Sequence, residues 1–196
     1  MVTLKQPVRI GVLAVQGAFA EHIAMLRRCG AETLEIREPN DLCSVIDGLI
    51  LPGGESTAQC KLLHDLKLFE PLNALIRKGL PVYGTCAGLL LLANRIENDS
   101  LSNFGSMDIT AVRNAYGRQL GSFTTNEVFA SQCIPMSFIR APYIKNAGPD
   151  VEVLSVVDKH IVAARERNML VTAFHPEVTD DLTVHKYFLS LIQNTL

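Results

Sequence analysis

Residues 81–96 read PVYGTCAGLLLLANRI. A short extended run, Pro81 to Thr85, meets Gly84-Thr85-Cys86-Ala87-Gly88 and passes into an unbroken apolar run, Ala87 to Ala93. Extended, then tight, then apolar is the pattern of a buried strand turning sharply into a helix, the unit from which parallel α/β sheets are built. The cysteine on that turn has two readings. It is a small buried hydrophobe, or it is the nucleophile of a G-x-C-x-G elbow, analogous to G-x-S-x-G, in which a strained backbone lifts the reactive atom into a site and glycines relieve the crowding on either side. In the second reading Cys86 stands at a helix N-terminus, where the positive end of the dipole favours thiolate.

The flanking sequence supports the α/β pattern on both sides. Val8 to Val15, VRIGVLAV, is β-branched and apolar, as in a strand covered on both faces. Phe19, Ile23, Leu26 and Gly30 follow at helical spacing, and Gly30 terminates that helix. Glu32 to Arg37 alternates like a second strand, and Val45 to Leu51 reads as a third, ending in Pro52-Gly53-Gly54. A polar, helix-prone stretch runs to Lys78-Gly79, before the strand at Pro81. Residues 104–165 hold short extended runs, at Met107 to Val112, Met136 to Arg140, Val151 to Val157 and His160 to Ala164, which predict hairpins added to the sheet. Leu170 to Phe174 is a last strand. TDDLTVHKYFLSLIQ, from Thr179, is a closing helix for which Thr179 is the expected cap. The expectation is α/β: one domain over residues 1–196, with a mostly parallel central sheet flanked by helices, flavodoxin-like, carrying short antiparallel strands.

Composition fits such a domain and excludes several functions. The 196 residues are 48% hydrophobic and 19% charged, with a formal net charge of −2. No basic cluster extends beyond pairs such as Arg27-Arg28, so neither nucleic acid nor a membrane surface is an expected partner. The opening MVTLKQPVRI has no charged-then-apolar leader, and five cysteines without a C-x-x-C fit a reducing compartment, so a cytoplasmic location is expected. No histidine pair has metal-ligand spacing with a third ligand nearby; neither a metal nor a cofactor is expected. His22, His64, His160 and His185 are read as ordinary structural histidines.

In an open parallel sheet ligands bind outside the carboxyl ends of the strands. Three segments fall there: Gly53-Gly54-Glu55-Ser56-Thr57, the Cys86 turn, and His175-Pro176-Glu177. A thiol nucleophile needs a base, and the base needs an acceptor that fixes its tautomer. In an extended segment residues i and i+2 point the same way, so His175 and Glu177 can both face Cys86. A backbone N–H of the Gly53-Gly54 turn, with that of Ala87, would make an oxyanion hole. Phosphate cradling is the other reading of this glycine turn, but neither phosphate-binding glycine motif is present. Arg113 and Arg140 are surface ion-pair residues or, in the functional reading, forks for a carboxylate.

These segments, in this order, resemble the class I (triad) glutamine amidotransferases. Within them the chain is similar to the family of glutaminase subunits of pyridoxal 5′-phosphate synthase. The likeness rests on I-G-V-L-A-V-Q-G-A at 10–18, L-P-G-G-E-S-T at 51–57, Y-G-T-C-A-G-L at 83–89, R-N-A-Y-G-R-Q at 113–119, F-I-R-A-P at 138–142 and F-H-P-E-V-T-D-D at 174–181. It implies Cys86 as nucleophile, His175 as base and Glu177 as its orienter. It implies Gly54, Glu55, Ser56, Arg113, Ile139 and Arg140 as the L-glutamine pocket, Gly54 and Ala87 as the oxyanion hole, and Gln16 at the face meeting the synthase. The implied reaction is hydrolysis of L-glutamine to L-glutamate and ammonia, delivered to a synthase subunit within a large hetero-oligomer. Ala58-Gln59-Cys60, Tyr83 and Ala115 depart from the family's form, and none is expected to touch a motif residue.

Three other readings share parts of this pattern. A glutaminase subunit of another synthase, such as the imidazole glycerol phosphate enzyme, shares the triad but not the 113–119 and 138–142 segments. A non-catalytic binding subunit on the same fold would lack Cys, His or Glu. A cysteine peptidase would act alone on peptides.

Overall fold

The computed structural model describes residues 7–99, 103–113 and 122–193. In chain order the elements are β1 (Arg9–Leu13), α1 (Phe19–Arg28), β2 (Glu32–Ile36), β3 (Gly48–Leu51), α2 (Ser56–Asp65), α3 (Phe69–Arg77), β4 (Val82–Thr85), α4 (Ala87–Leu92), β5 (Ala93–Ile96), β6 (Met107–Val112), β7 (Ser122–Phe129), β8 (Gln132–Ile139), β9 (Tyr143–Ala147), β10 (Glu152–Val157), β11 (His160–Glu166), β12 (Met169–Thr172) and α5 (Thr183–Gln193). The main sheet runs β2-β1-β3-β4-β12-β11-β9-β6-β5, with β10 paired to β11. The half from β2 to β12 is parallel throughout. From β12 onward the ladders are antiparallel as far as β6, and β5 closes the edge parallel to β6.

The inner strands of the parallel half are buried because helices cover its faces, while the edge strand β2 buries only Ile36. β3, β4 and β12 are buried at every residue, the signature of strands inside a doubly covered sheet. α1 turns Ile23, Met25 and Leu26 inward, and α5 turns in Val184, Phe188 and Ile192. β7 and β8 form a separate hairpin. Its exposure alternates, so one face packs and the other meets solvent.

The chain passes from β1 outward to β2 and then back across to β3, so the order reverses between β1 and β3. Such a reversal opens a crevice at the carboxyl ends of the strands. The parallel α/β sheet with short antiparallel additions matches the sequence expectation. Several details differ. The stretch before Gly79 is two helices, α2 and α3. The strand expected from Val45 begins at Gly48. The apolar run after Cys86 does not stay helical: α4 ends at Leu92 and the chain enters β5 directly. β7 and β9 are additional strands. Thr179 does not cap α5; its hydroxyl donates to the Pro176 carbonyl at 2.8 Å, and Asp181 accepts from the Thr183 N–H at 2.8 Å instead. The chain between Pro176 and Thr183 therefore turns before it coils. No helix among the described residues is long and apolar enough to cross a membrane.

Candidate active site

The elbow is built from close backbone packing. Cys86 has φ 49° and ψ −94°, a left-handed region costly to a residue with a Cβ. Two contacts hold it there: the Cys86 N–H donates to the Thr172 carbonyl at 2.7 Å, and the Leu90 N–H to the Cys86 carbonyl at 3.3 Å. A Cβ on Gly84 would lie 2.6 Å from the carbonyl carbon of Gly88. The flanking glycines are thus a requirement of the turn.

His175 leaves β12 beside the elbow, because β12 and β4 run parallel with Thr172 opposite Thr85. The His175 N–H donates to the Ser137 carbonyl of β8 at 2.8 Å. Its Nδ1 lies 2.7 Å from Oε1 of Glu177, and its side chain also hydrogen-bonds Cys86. With Nδ1–H donating to the carboxylate, Nε2 is the atom left to face the sulfur. Burial opposes charge on His175, but the hydrogen bonds to Cys86 and Glu177, with the carboxylate's charge, outweigh it and push the pKa up to about 10. Burial would raise the Glu177 carboxyl; the proximity of His22 and the His175 hydrogen bond reverse this and hold it below its ordinary value. The imidazolium beside the sulfur is a fuller positive charge than the end of α4, which spans only 6 residues.

A cavity of about 490 Å³ opens over Cys86 and His175. Gln16, Gly54, Glu55, Ser56, Ala87, Arg113, Ile139 and Arg140 all line it, so the residues expected from sequence converge on one site. Glu55 is also the N-cap of α2, accepting from the N–H groups of Thr57 and Ala58 at 3.1 and 2.6 Å. Desolvation opposes its charge, but the hydrogen bonds from Ala58 and Thr57 together, helped by Arg113, outweigh it and hold its carboxyl below the usual value. Arg113 reaches Glu55 at 3.4 Å and Thr57 at 3.3 Å and pairs with Asp99. Residues 114–119 of the R-N-A-Y-G-R-Q segment, Ala115 included, lie outside the described residues.

Gln16 belongs to the cavity wall: its carboxamide oxygen accepts from the Glu55 N–H at 3.0 Å. Two departures from the family's form do touch the motifs, contrary to expectation. Gln59 is fully buried and donates to the carbonyls of Pro52 and Gln16 at 3.0 and 3.1 Å, bracing the glycine turn. Tyr83 hydrogen-bonds Thr85 and lies 2.9 Å from the Thr172 hydroxyl. The sequence missed a further pair. His22 and His185, read as ordinary, are buried behind Glu177, with His22 Nε2 3.6 Å from Glu177 Oε2. Among the described residues no group of His, Cys, Asp and Glu is arranged to hold a metal ion.

A thiol on a strained elbow, a histidine oriented by a buried carboxylate and a cavity over both define a cysteine-dependent acyl-transfer site on a doubly wound sheet. The chain belongs to the SNO glutamine amidotransferase family, which it matches over residues 12–194. It is 62% identical over 188 residues to the pyridoxal 5′-phosphate synthase subunit PdxT of Methanocorpusculum labreanum, covering 95% of this chain and 99% of that one. It is 54% identical over 187 residues to the PdxT subunit of Streptococcus pneumoniae, covering 93% and 96%. Among solved structures, a glutamine amidotransferase superposes with a TM-score of 0.89 at 36% identity over 94% of this chain and 98% of that one. A glutamine amidotransferase of Thermotoga maritima, at TM-score 0.61 and 13% identity over 98% and 87% of the two chains, shares the fold.

Proposed function

We propose that this chain is the glutaminase subunit of a pyridoxal 5′-phosphate synthase. It hydrolyses the side-chain amide of L-glutamine and delivers the ammonia to a synthase subunit. The observation that carries the reading is the line Cys86–His175–Glu177 under a cavity walled by Gly54, Glu55, Ser56, Arg113, Ile139 and Arg140.

In this reading His175 accepts the thiol proton and the Cys86 sulfur attacks the amide carbon. Negative charge develops on the amide oxygen, where the N–H groups of Gly54 and Ala87 receive it. Collapse of the tetrahedral intermediate breaks the C–N bond. His175 returns its proton to the departing nitrogen, and ammonia leaves with a γ-glutamyl thioester on Cys86. Water, deprotonated by His175, attacks the thioester and releases glutamate and the thiol. Glu177 stays ionised and holds the imidazole in register throughout. Ammonia set free in water protonates and loses its nucleophilicity, so delivery requires docking the cavity mouth on the synthase, in a large hetero-oligomer, with Gln16 beside that face. Five cysteines, none in a disulfide among the described residues, suit a reducing cytoplasm.

The test is glutamate release from L-glutamine by the chain alone and then with a pyridoxal 5′-phosphate synthase subunit, with Cys86→Ala as control. Expected are weak turnover alone, a rise with the partner and none in the variant. Undiminished turnover in Cys86→Ala would overturn the mechanism, and no rise with an active synthase would overturn the partner.

A further inference from the structure

Behind Glu177 lies a run of buried polar side chains that the reaction as written does not use. His185 Nε2 is 3.0 Å from His22 Nδ1. His22 Nε2 is 3.0 Å from the Thr85 hydroxyl. Thr85 hydrogen-bonds Tyr83, Tyr83 lies 2.9 Å from the Thr172 hydroxyl, and Thr172 donates to the Phe174 carbonyl at 3.0 Å. His22, Tyr83, Thr85, Thr172 and His185 are all fully buried.

The last link sets the direction of all the others. A carbonyl only accepts, so the Thr172 proton is committed to Phe174. Thr172 must then accept from Tyr83, Tyr83 from Thr85, and Thr85 from His22 Nε2–H. His22 Nδ1 is left bare and accepts from His185 Nε2–H. The bare nitrogen at the far end, His185 Nδ1, is a buried atom without a hydrogen-bond partner among the described residues, and a lone acceptor is a tolerable orphan there. The reverse polarity would bury an N–H without an acceptor at His185 and turn a nitrogen lone pair toward the carboxylate.

With this polarity the His22 N–H edge faces Glu177. Its Nε2 stands 3.6 Å from Oε2, the oxygen that His175 does not engage and that has no hydrogen-bond partner among the described residues. At that distance the contact is a charge–dipole attraction, the hydrogen bond itself going to Thr85. We infer that His22, held in its Nε2–H tautomer by His185 and Thr85, is a positioning residue that fixes the second oxygen of Glu177 and so the angle at which Glu177 presents His175 to Cys86. The inference rests on the triad reading above. Burial keeps His22 neutral, against the pull of the Glu177 charge, and carries His185 down to about 3. His22 therefore acts through its dipole. The titratable groups facing Glu177 are His175 on its own segment, His22 on α1, His185 on α5 and Tyr83 on β4; Glu21 acts on His22.

The experiment compares His22→Leu and His22→Gln with wild type, each with the synthase subunit, and Cys86→Ala beside them. Gln places an N–H donor where Nε2 stood; Leu fills the space without one. Expected for His22→Leu is a fall in kcat of about 10- to 100-fold, the usual scale for removing an orienting partner, with KM within about twofold. His22→Gln recovers most of the loss. Equal impairment of both variants, or unchanged kcat in His22→Leu, overturns the inference. An active Cys86→Ala overturns the triad reading instead. Should His22→Leu not fold, 15N NMR of histidine-labelled wild type decides: both His22 and His185 are expected as neutral Nε2–H tautomers, and a proton on Nδ1 of His22 overturns the inference.

Discussion

Gly88 sits so close under the end of β3 that a Cβ on it would lie 2.1 Å from the carbonyl oxygen of Leu51. Neither atom belongs to a flexible side chain, so nothing can swing aside. Gly88→Ala must push α4 away from β3, and the elbow moves with it. The expected outcome is a loss of about 1–3 kcal/mol, the usual scale of overpacking, together with loss of glutaminase activity. Denaturant melts and an assay of the same preparation check both.

Cys86→Gly separates reactivity from strain. At φ 49° and ψ −94° a side chain costs about 1–3 kcal/mol that glycine avoids. Glycine's own entropy returns about 0.5–1 kcal/mol of that. The variant is expected to be inactive and more stable than wild type by about 1 kcal/mol. A lower melting temperature than that of Cys86→Ala would contradict the strain argument, since alanine keeps the Cβ.

Stability is expected to fall on both sides of a maximum near pH 6.5. His22 and His185 are held neutral, His185 with a pKa of about 3. Below about 6.5 the unfolded chain takes up protons that the folded chain refuses, so stability drops as pH falls. Glu177, lowered in the fold, adds to the loss below its unfolded value of about 4.5. His175, raised to about 10, has the opposite sign: its contribution is complete below about 6.5 and disappears as pH rises toward 10. His185→Gln keeps a donor for His22 but cannot protonate. It should flatten the acid side by up to about 1.4 kcal/mol per pH unit, read from urea midpoints between pH 4 and 9.

Arg113 stands in the cavity wall with its guanidinium toward Glu55, Thr57 and Asp99. Its proposed part is binding. Arg113→Ala is expected to raise KM for glutamine about tenfold, as for a lost charged hydrogen bond, with kcat within about threefold. Arg113→Lys is expected to rescue little, since an ammonium lacks the planar fork. A fall in kcat at constant KM would assign Arg113 to the chemistry instead.

What was legible in the sequence follows from locality. β1 to β4, the elbow and His175-Pro176-Glu177 each carry their signal within a few adjacent residues. β5 was hidden because Ala87 to Ala93 is apolar without a break; only its ladder to β6 makes Ala93–Ile96 extended. β7, SFTTNEVF, is mostly polar and stands because β8 pairs with it over its whole length. Thr179 looked like a cap because threonine before two acids is a common helix start, yet its hydroxyl is already given to Pro176. His22 sits beside Ile23 and Leu26 on an apolar face, and nothing nearby in the chain announces that its partner is His185. Cys86, His175 and Glu177, which the structure brings together, were readable as three residues; the chain of hydrogen bonds behind them is a property of the folded interior.

The hydrogen bond from Cys86 to Thr172 joins the elbow to a strand made much later in synthesis. Until β12 slots in beside β4, the cysteine has neither its backbone clamp nor its histidine. In the proposed mechanism, a nascent chain emerging from the ribosome therefore lacks the Cys86–His175 pair until the last parallel strand docks. By that mechanism a copy truncated before β12 does not hydrolyse glutamine: quality control is built into the chemistry.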